Sequence, residues 1–262
     1  MKKTTRVSSS VNGAGQTFVD FKLPEAWPDL TDEELRKICE IIVMMPSGQQ
    51  IFAIFRALTG TVVERRQPGG KWLMKAKTDA GIVRFSVSPE ILVSICEPLS
   101  FILDCGSVPV RLEWVCRRKL HAVNAELHGL SFGDYLRLEN LYQGYIISRD
   151  KAAVDEMATI LYPGFNLKKH ALLPSEIYAI SQWVVQVKAM FSRQFPNFFR
   201  PLNGTVEAPS MLEVMNNEIR ALTGGDVAKE QEIFEVDCWR ALTELDFKAK
   251  EAEEYRRQQA KQ

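Results

Sequence analysis

The chain lacks the features that most directly assign a protein to a compartment or a chemistry. It has no apolar run of 18 residues, so no membrane-spanning helix is expected. Its five cysteines, Cys39, Cys96, Cys105, Cys116 and Cys238, are too few for a dense disulfide framework, and one would stay unpaired even if four were bridged. A reduced, intracellular state is the simpler expectation. The basic start MKKTTR is not followed by the hydrophobic segment of a signal peptide, which points to the cytoplasm of the producing cell. Charge of one sign is lacking too: 33 basic and 33 acidic side chains cancel to a net charge of +0, with a pI of 6.8. That balance argues against nucleic acid as the main partner, and leaves only the short clusters Lys2-Lys3-Arg6, Arg65-Arg66-Lys71 and Arg117-Arg118-Lys119 to touch phosphate.

Catalytic and ligand-binding fingerprints are missing as well. The histidines His121, His128 and His170 have no HExxH context. The first two are seven residues apart, about 10 Å along a helix, too far to chelate one metal unaided. Cys96, Cys105 and Cys116 include no CxxC knuckle. Gly69-Gly70 and Gly224-Gly225 lack the Lys-Ser or Lys-Thr of a phosphate loop, and Gly13-Ala14-Gly15 does not complete a dinucleotide fingerprint. No serine stands in GxSxG. Asp134, Glu139, Asp155 and Glu156 could meet in a hydrolytic site only if folding assembled them, and their helical context favours solvated surface groups. The expectation is therefore a non-enzyme with no cofactor and no metal.

What is present is ample core material: 46% hydrophobic and 25% charged residues suit one or two globular domains. The polar, Ser/Thr/Gly-rich residues 1–17 read as a flexible tail. FVDFKL suggests a short strand before Pro24 and Pro28. Thr31 and Glu34 have capping-box spacing ahead of an apolar stripe of Leu35, Ile38, Cys39, Ile42 and Met45, which Pro46 should end. Ser47 and Gln50 offer a second capping box before Ile51, Ile54, Phe55 and Leu58, with a stop at Gly60. Residues 71–77 and 82–88 read as two strands around a Thr78-Asp79-Ala80-Gly81 turn, an antiparallel element in which Trp72, Met74 and Ala76 share one face of the first strand and Val83, Phe85 and Val87 share one face of the second. ILVSICEPLSFIL is equally compatible with strand or helix, and VPVRLEWV resembles another strand.

Beyond His128 the pattern is helical. Ser131 and Asp134 can cap a helix carrying Phe132, Tyr135, Leu136, Leu138, Leu141, Tyr142 and Ile146, and a second runs from Asp150 to Leu161. Pro174 to about Phe195 is apolar around most of its girth, as befits a helix in the middle of a bundle. Phe198 and Phe199, between Pro196 and Pro201, are either a docking surface or aromatics tucked beneath a loop. Leu212, Met215, Ile219 and Leu222 mark a helix ending near Gly224. Cys238, Leu242, Leu245, Ala249 and Ala252 align along one seam, with Glu244/Lys248, Asp246/Lys250 and Glu253/Arg257 spaced for surface pairing. The seam can pack on the body, on a partner or another copy, or belong to a free tail.

The expected fold class is α+β: a predominantly helical, bundle-like body, a small antiparallel β element in the N-terminal half and a long C-terminal helix. The expected regions are a flexible tail 1–17, a mixed α/β region 18–128, a helical region 129–225, and a C-terminal helix or interaction arm 226–262.

Three segments carry a resemblance: FKLPEAWPDLTDEELR at Phe21 to Arg36, LSFGDYLRLENLY at Leu130 to Tyr142, and VDCWRALTELDFKAKEAEEYRRQ at Val236 to Gln258. In these, covering about one fifth of the chain, it resembles the small tail proteins of tailed phages and prophages of Bacteroides-type bacteria, especially tail assembly chaperones. The resemblance implies a helical adaptor that holds hydrophobic segments of other tail components in the host-cell cytoplasm during assembly. It implies Trp239, Leu242 and Leu245 as protein-binding residues, with Phe198 and Phe199 as secondary candidates. Partners would be phage tail proteins or further copies of the chain. The alternatives are a permanent structural protein of the tail or neck, retained in the virion, and a small-molecule enzyme without a recognisable motif.

Overall fold

The computed structural model of the chain describes residues 2–11, 14–78, 81–200 and 211–259. The fold is α+β and predominantly helical, with small antiparallel sheets in the N-terminal half and long helices toward the C-terminus. The chain divides into two compact units, one of 1–106 with 174–178, the other of 107–173 with 179–262.

In the first unit β1 (Lys3–Val11) and β2 (Ala14–Leu23) form an antiparallel ribbon. The region 1–17, expected as a flexible tail, thus holds β1 and the start of β2. Its Thr and Val residues favour extended backbone, and alternation on β2 puts Val19, Phe21 and Leu23 in the core while Asp20 and Lys22 face out. Helix α1 (Asp32–Met44) begins with the expected capping box: the Thr31 hydroxyl accepts from the Glu34 amide, and the Glu34 carboxylate accepts from the Thr31 amide at 3.0 Å. Leu35, Ile38 and Cys39 are its buried face.

Helix α2 (Ser47–Thr59) corrects the second capping box. Its N-cap is Pro46, without a side-chain cap, and Gln50 turns back to donate to the Ile42 and Met45 carbonyls, both at 2.9 Å. Those carbonyls at the end of α1 lack intrahelical partners, so an amide donor is better spent there than on a helix start. Gly60 closes α2 in the left-handed conformation, φ 67°.

A three-stranded sheet follows, β3 (Val62–Arg66), β4 (Trp72–Thr78) and β5 (Gly81–Val87), in the order β3-β4-β5. The β4/β5 pairing puts Met74 opposite Phe85 and Ala76 opposite Val83, and residues 79–80, expected in the turn, lie outside the described residues. Strand β3 carries no legible alternation, because it is an edge strand exposed along nearly its whole length. The ambiguous apolar stretch is helical, α3 (Pro89–Cys96) running into a 3-10 segment at Glu97–Leu103. At the core, Phe21 meets Phe55 edge-on at 5.2 Å and Phe85 at 5.9 Å. Trp27 is buried and its indole donates to the Asp104 carbonyl at 2.9 Å. Gly106 is obligatory beside it: φ is +70°, and a Cβ there would stand 2.8 Å from the indole.

The second unit holds a minimal hairpin, β6 (Trp114–Val115) and β7 (Leu120–His121), with α4 (Phe132–Ser148), α5 (Lys151–Leu161), α6 (Pro174–Gln194, whose first residues belong to the other unit), α7 (Met211–Thr223), α8 (Glu230–Glu235) and α9 (Cys238–Gln259). The strand expected over 108–115 shrinks to Trp114–Val115. The rest of that segment, and the turn at Ala125 after the hairpin, are held by side chains instead of a neighbouring strand. Gln186 accepts from the Val110 amide at 2.8 Å, Tyr162 donates to the Leu112 carbonyl at 2.9 Å, and Trp183 donates to Ala125 at 2.7 Å. Backbone groups satisfied in this way have no need of a sheet. The turn of the hairpin places Cys116, Arg117 and Arg118 successively at φ 53°, 61° and 62°. Helices α4, α5 and α6 follow the expected bounds closely, and Ser131 caps α4 through the Asp134 amide at 3.1 Å. The start of α9 is bolted to the start of α4, with Phe132 donating to Val236 at 2.7 Å and Cys238 to Leu130 at 2.8 Å.

Candidate functional site

Helices α7 and α9 face each other with matching periodicity. Val214, Asn217, Glu218 and Ala221 on α7, and Leu245, Lys248, Ala249 and Ala252 on α9, fall at i, i+3, i+4 and i+7 and so share one face of each helix. With Phe198 they line an apolar groove of about 470 Å³. The alanines explain the space: where larger side chains would interdigitate, Ala221, Ala249 and Ala252 stop at Cβ and leave the groove unfilled.

Phe198 is held at the groove by α9. Asp246 accepts from the Asn197 amide at 2.7 Å, from the Phe198 amide at 3.0 Å and from the Asn197 side chain at 2.9 Å. Burial alone would push this carboxyl up, but those hydrogen bonds, with Arg200 nearby, outweigh it and hold it below the usual carboxylate range. Asp246 is therefore committed to the segment after α6, and no Asp246–Lys250 pair forms of the kind its spacing suggested. The other two expected pairs are present, Lys248–Glu244 at 3.5 Å and Arg257–Glu253 at 3.0 Å.

Glu218 gives the groove its chemistry. Behind it, Lys188 on α6 forms an ion pair with Glu139 on α4, which also accepts from Gln143 at 2.8 Å, and the ammonium lies 5.2 Å from the centre of the Tyr142 ring. Lys188 is thus engaged by Glu139. Burial first, and the negative charge of Glu139 second, push the Glu218 carboxyl up to about 7 against the smaller pull of Lys188. Burial also raises the Tyr135 phenol well above its ordinary range, with Glu139, Glu218 and Cys238 adding to the effect.

The residues singled out from sequence divide between wall and core. Leu242 and Leu245 are buried, at 0% and 3% exposure, so they sit within the unit and do not project from it; Leu245 also reaches the groove. Trp239 is half-buried: its indole donates to the Glu126 carbonyl at 2.7 Å, stacks on His128 at 4.4 Å and meets Phe191 edge-on at 5.3 Å. Phe198 and Phe199 are half-buried and in edge contact at 4.7 Å, and of the pair Phe198 lines the groove. The structure therefore brings Leu245 and Phe198 together and leaves Trp239 in the aromatic packing under α9.

The acidic residues considered for hydrolysis do not converge. The Asp134 carboxylate accepts from the Ser131 hydroxyl at 3.0 Å in the first turn of α4, Asp155 pairs with Lys151, Glu156 lies 3.8 Å from Arg137, and Glu139 holds Lys188. His121 packs against Trp114, and His170 accepts from the Asn166 amide at 3.0 Å. Among the described residues no group of three or more His, Cys, Asp or Glu is placed to hold a metal ion, and no helix is long and apolar enough to cross a membrane. Glu218 was missed from sequence because it adjoins Ile219, a member of the apolar stripe first noticed on α7. The signal was there in the neighbouring row, where Val214, Glu218 and Ala221 put one acid between apolar residues.

Among the described residues the first unit also has hollows of its own. One is apolar, about 310 Å³, lined by residues including Ile51, Phe52, Leu92 and Val93; another, about 630 Å³, mixes polar and apolar walls and includes Glu25, Glu97 and Asp104. Neither contains a side chain singled out from sequence for binding. Comparison with protein-family models, with curated proteins and with solved structures yields no match to this chain.

Proposed function

We propose that this chain is a non-enzymatic binding protein of phage tail assembly, which shelters an apolar helical segment of another tail component in the groove between α7 and α9. The observation that carries the binding reading is the groove itself, with small residues on both walls and an aromatic lip fixed by Asp246. An occupant helix would supply the apolar side chains that Ala221, Ala249 and Ala252 do not. The setting comes from the resemblance, one of whose segments, Val236 to Gln258, supplies the α9 wall. The site of action would be the host-cell cytoplasm.

The test uses a tagged copy in its producing cells, with quantitative mass spectrometry of assembly intermediates and finished particles. Association with tail components that is lost on completion supports a chaperone. Stoichiometric retention in particles would replace it with a permanent structural subunit. The groove is tested in parallel by Ala249→Trp, which fills it. The variant should fold as judged by circular dichroism and lose tail components by about tenfold or more, the scale of one buried aromatic or aliphatic anchor. Undiminished recovery would overturn the groove as the binding site.

A further inference from the structure

We propose that the occupant of the α7–α9 groove is an amphipathic helix carrying a basic side chain that seats against Glu218. The proposal rests on the groove reading above and adds the partner's chemistry to it.

The argument is charge complementarity. Among the described residues two charged side chains line the groove, Glu218 and Lys248. Lys248 has its own counterion in Glu244, 3.5 Å away one turn earlier on α9. Glu218 forms no ion pair among the described residues, since Lys188 is claimed by Glu139. An all-apolar occupant would strip the remaining water from this carboxylate and return nothing, and an acidic occupant would add repulsion to that of Glu139. A lysine or arginine on the incoming helix gives the carboxylate a counterion while its aliphatic stem lies along Val214, Ala221 and Ala249.

The same arrangement predicts a proton signal. With its carboxyl near 7 in the empty groove, Glu218 is partly protonated at neutral pH. A cation seated against it lowers that value and expels the proton. The groups facing it are Glu139 and Tyr135 on α4, Lys188 on α6 and Lys248 on α9. Arg220 and Glu230 line a separate hollow of α7 and α8.

The experiment is isothermal titration of the full chain at pH 7 with two synthetic helical peptides of about 14 residues, roughly the length of α7. Both carry leucines at i, i+3, i+4 and i+7; one has a central lysine, the other norleucine. The expected result is about tenfold tighter binding of the lysine peptide, with proton release read from the dependence of heat on buffer ionisation. Glu218→Gln should abolish both the preference and the release. Equal binding of the two peptides by the native chain, or tight lysine-peptide binding without proton release, would overturn the basic-residue proposal and leave the groove reading intact. Binding of neither peptide, or binding unaffected by Ala249→Trp, would overturn the groove reading itself. If sedimentation shows a self-associated chain that the norleucine peptide and the lysine peptide dissociate equally, the occupant is a second copy, and the proposal of a basic partner fails.

Discussion

In the first unit the ring of Phe21 meets those of Phe55 and Phe85 and offers the backbone nothing but contact, whereas in the second unit Trp183, Trp239, Tyr162 and Gln186 pack as core or near-core residues and also hydrogen-bond backbone that lies outside helices and strands. The first kind of core is specified by volume and alternation. The second is specified by reach, because a donor at the tip of a large ring must find one particular carbonyl. Trp27 with Asp104 is the first unit's own instance, at its edge and next to Gly106. The difference implies that the units respond to different substitutions: loss of volume harms both, but removal of one polar atom at constant shape harms the second most.

The comparison is tested first by volume. Phe55→Ala should cost about 3–5 kcal/mol in denaturant unfolding, the usual range for deleting a buried ring. A much smaller loss would mean that the Phe21–Phe55–Phe85 contact is not the centre of the first unit. Next, Arg36→Ala should cost on the order of 3 kcal/mol, since it removes the guanidinium that lies 3.3 Å from Glu176, a carboxylate only 1% exposed. Arg36→Lys should recover only part of this.

Tyr162→Phe isolates the polar contribution. It keeps the ring and removes one hydroxyl, leaving the Leu112 carbonyl short of a donor, for an expected loss of about 1–2 kcal/mol. No effect would erase the distinction between the units. Glu218→Gln sharpens it in the opposite direction, toward stabilisation. Its carboxyl is raised in the folded chain from 4.5 to about 7, so the folded state binds more protons than the unfolded state between those values, and stability falls as pH rises through that window. The variant should lose that part of the slope and gain about 1–2 kcal/mol at pH 8. A pH profile identical to that of the native chain would show that Glu218 is solvated.

Much of the fold was legible because local chemistry and tertiary packing agree. Thr31 and Glu34 fix the start of α1 by short-range bonds, Met74 and Phe85 meet because alternation and pairing select the same register, and α4 to α6 keep one apolar period over many residues. What was not legible depends on partners distant in sequence. Gln50 serves the end of the preceding helix, Val110 and Leu112 stay outside any strand because Gln186 and Tyr162 satisfy their backbone groups, and Asp246 is drawn from Lys250 to Asn197. Strand β3 was hidden by exposure, and β1 by a composition that also suits a polar tail. For the groove, the seam on α9 showed which residues repeat, but not that its upper half, Cys238 to Leu245, is buried while Ala249 and Ala252 border open space.

The turn between β6 and β7 has a consequence for which substitutions it tolerates. Cys116, Arg117 and Arg118 hold a conformation that costs an L-residue about 1–2 kcal/mol each. Glycine, which loosens most of a chain, would relax this one, and asparagine or aspartate would come next. Valine, isoleucine and threonine would be nearly barred, although the three positions are half-buried or exposed and burial alone would permit them. Drift at this tip is therefore steered by backbone torsion, and chains that share the turn should vary there along a scale set by φ and not by hydrophobicity.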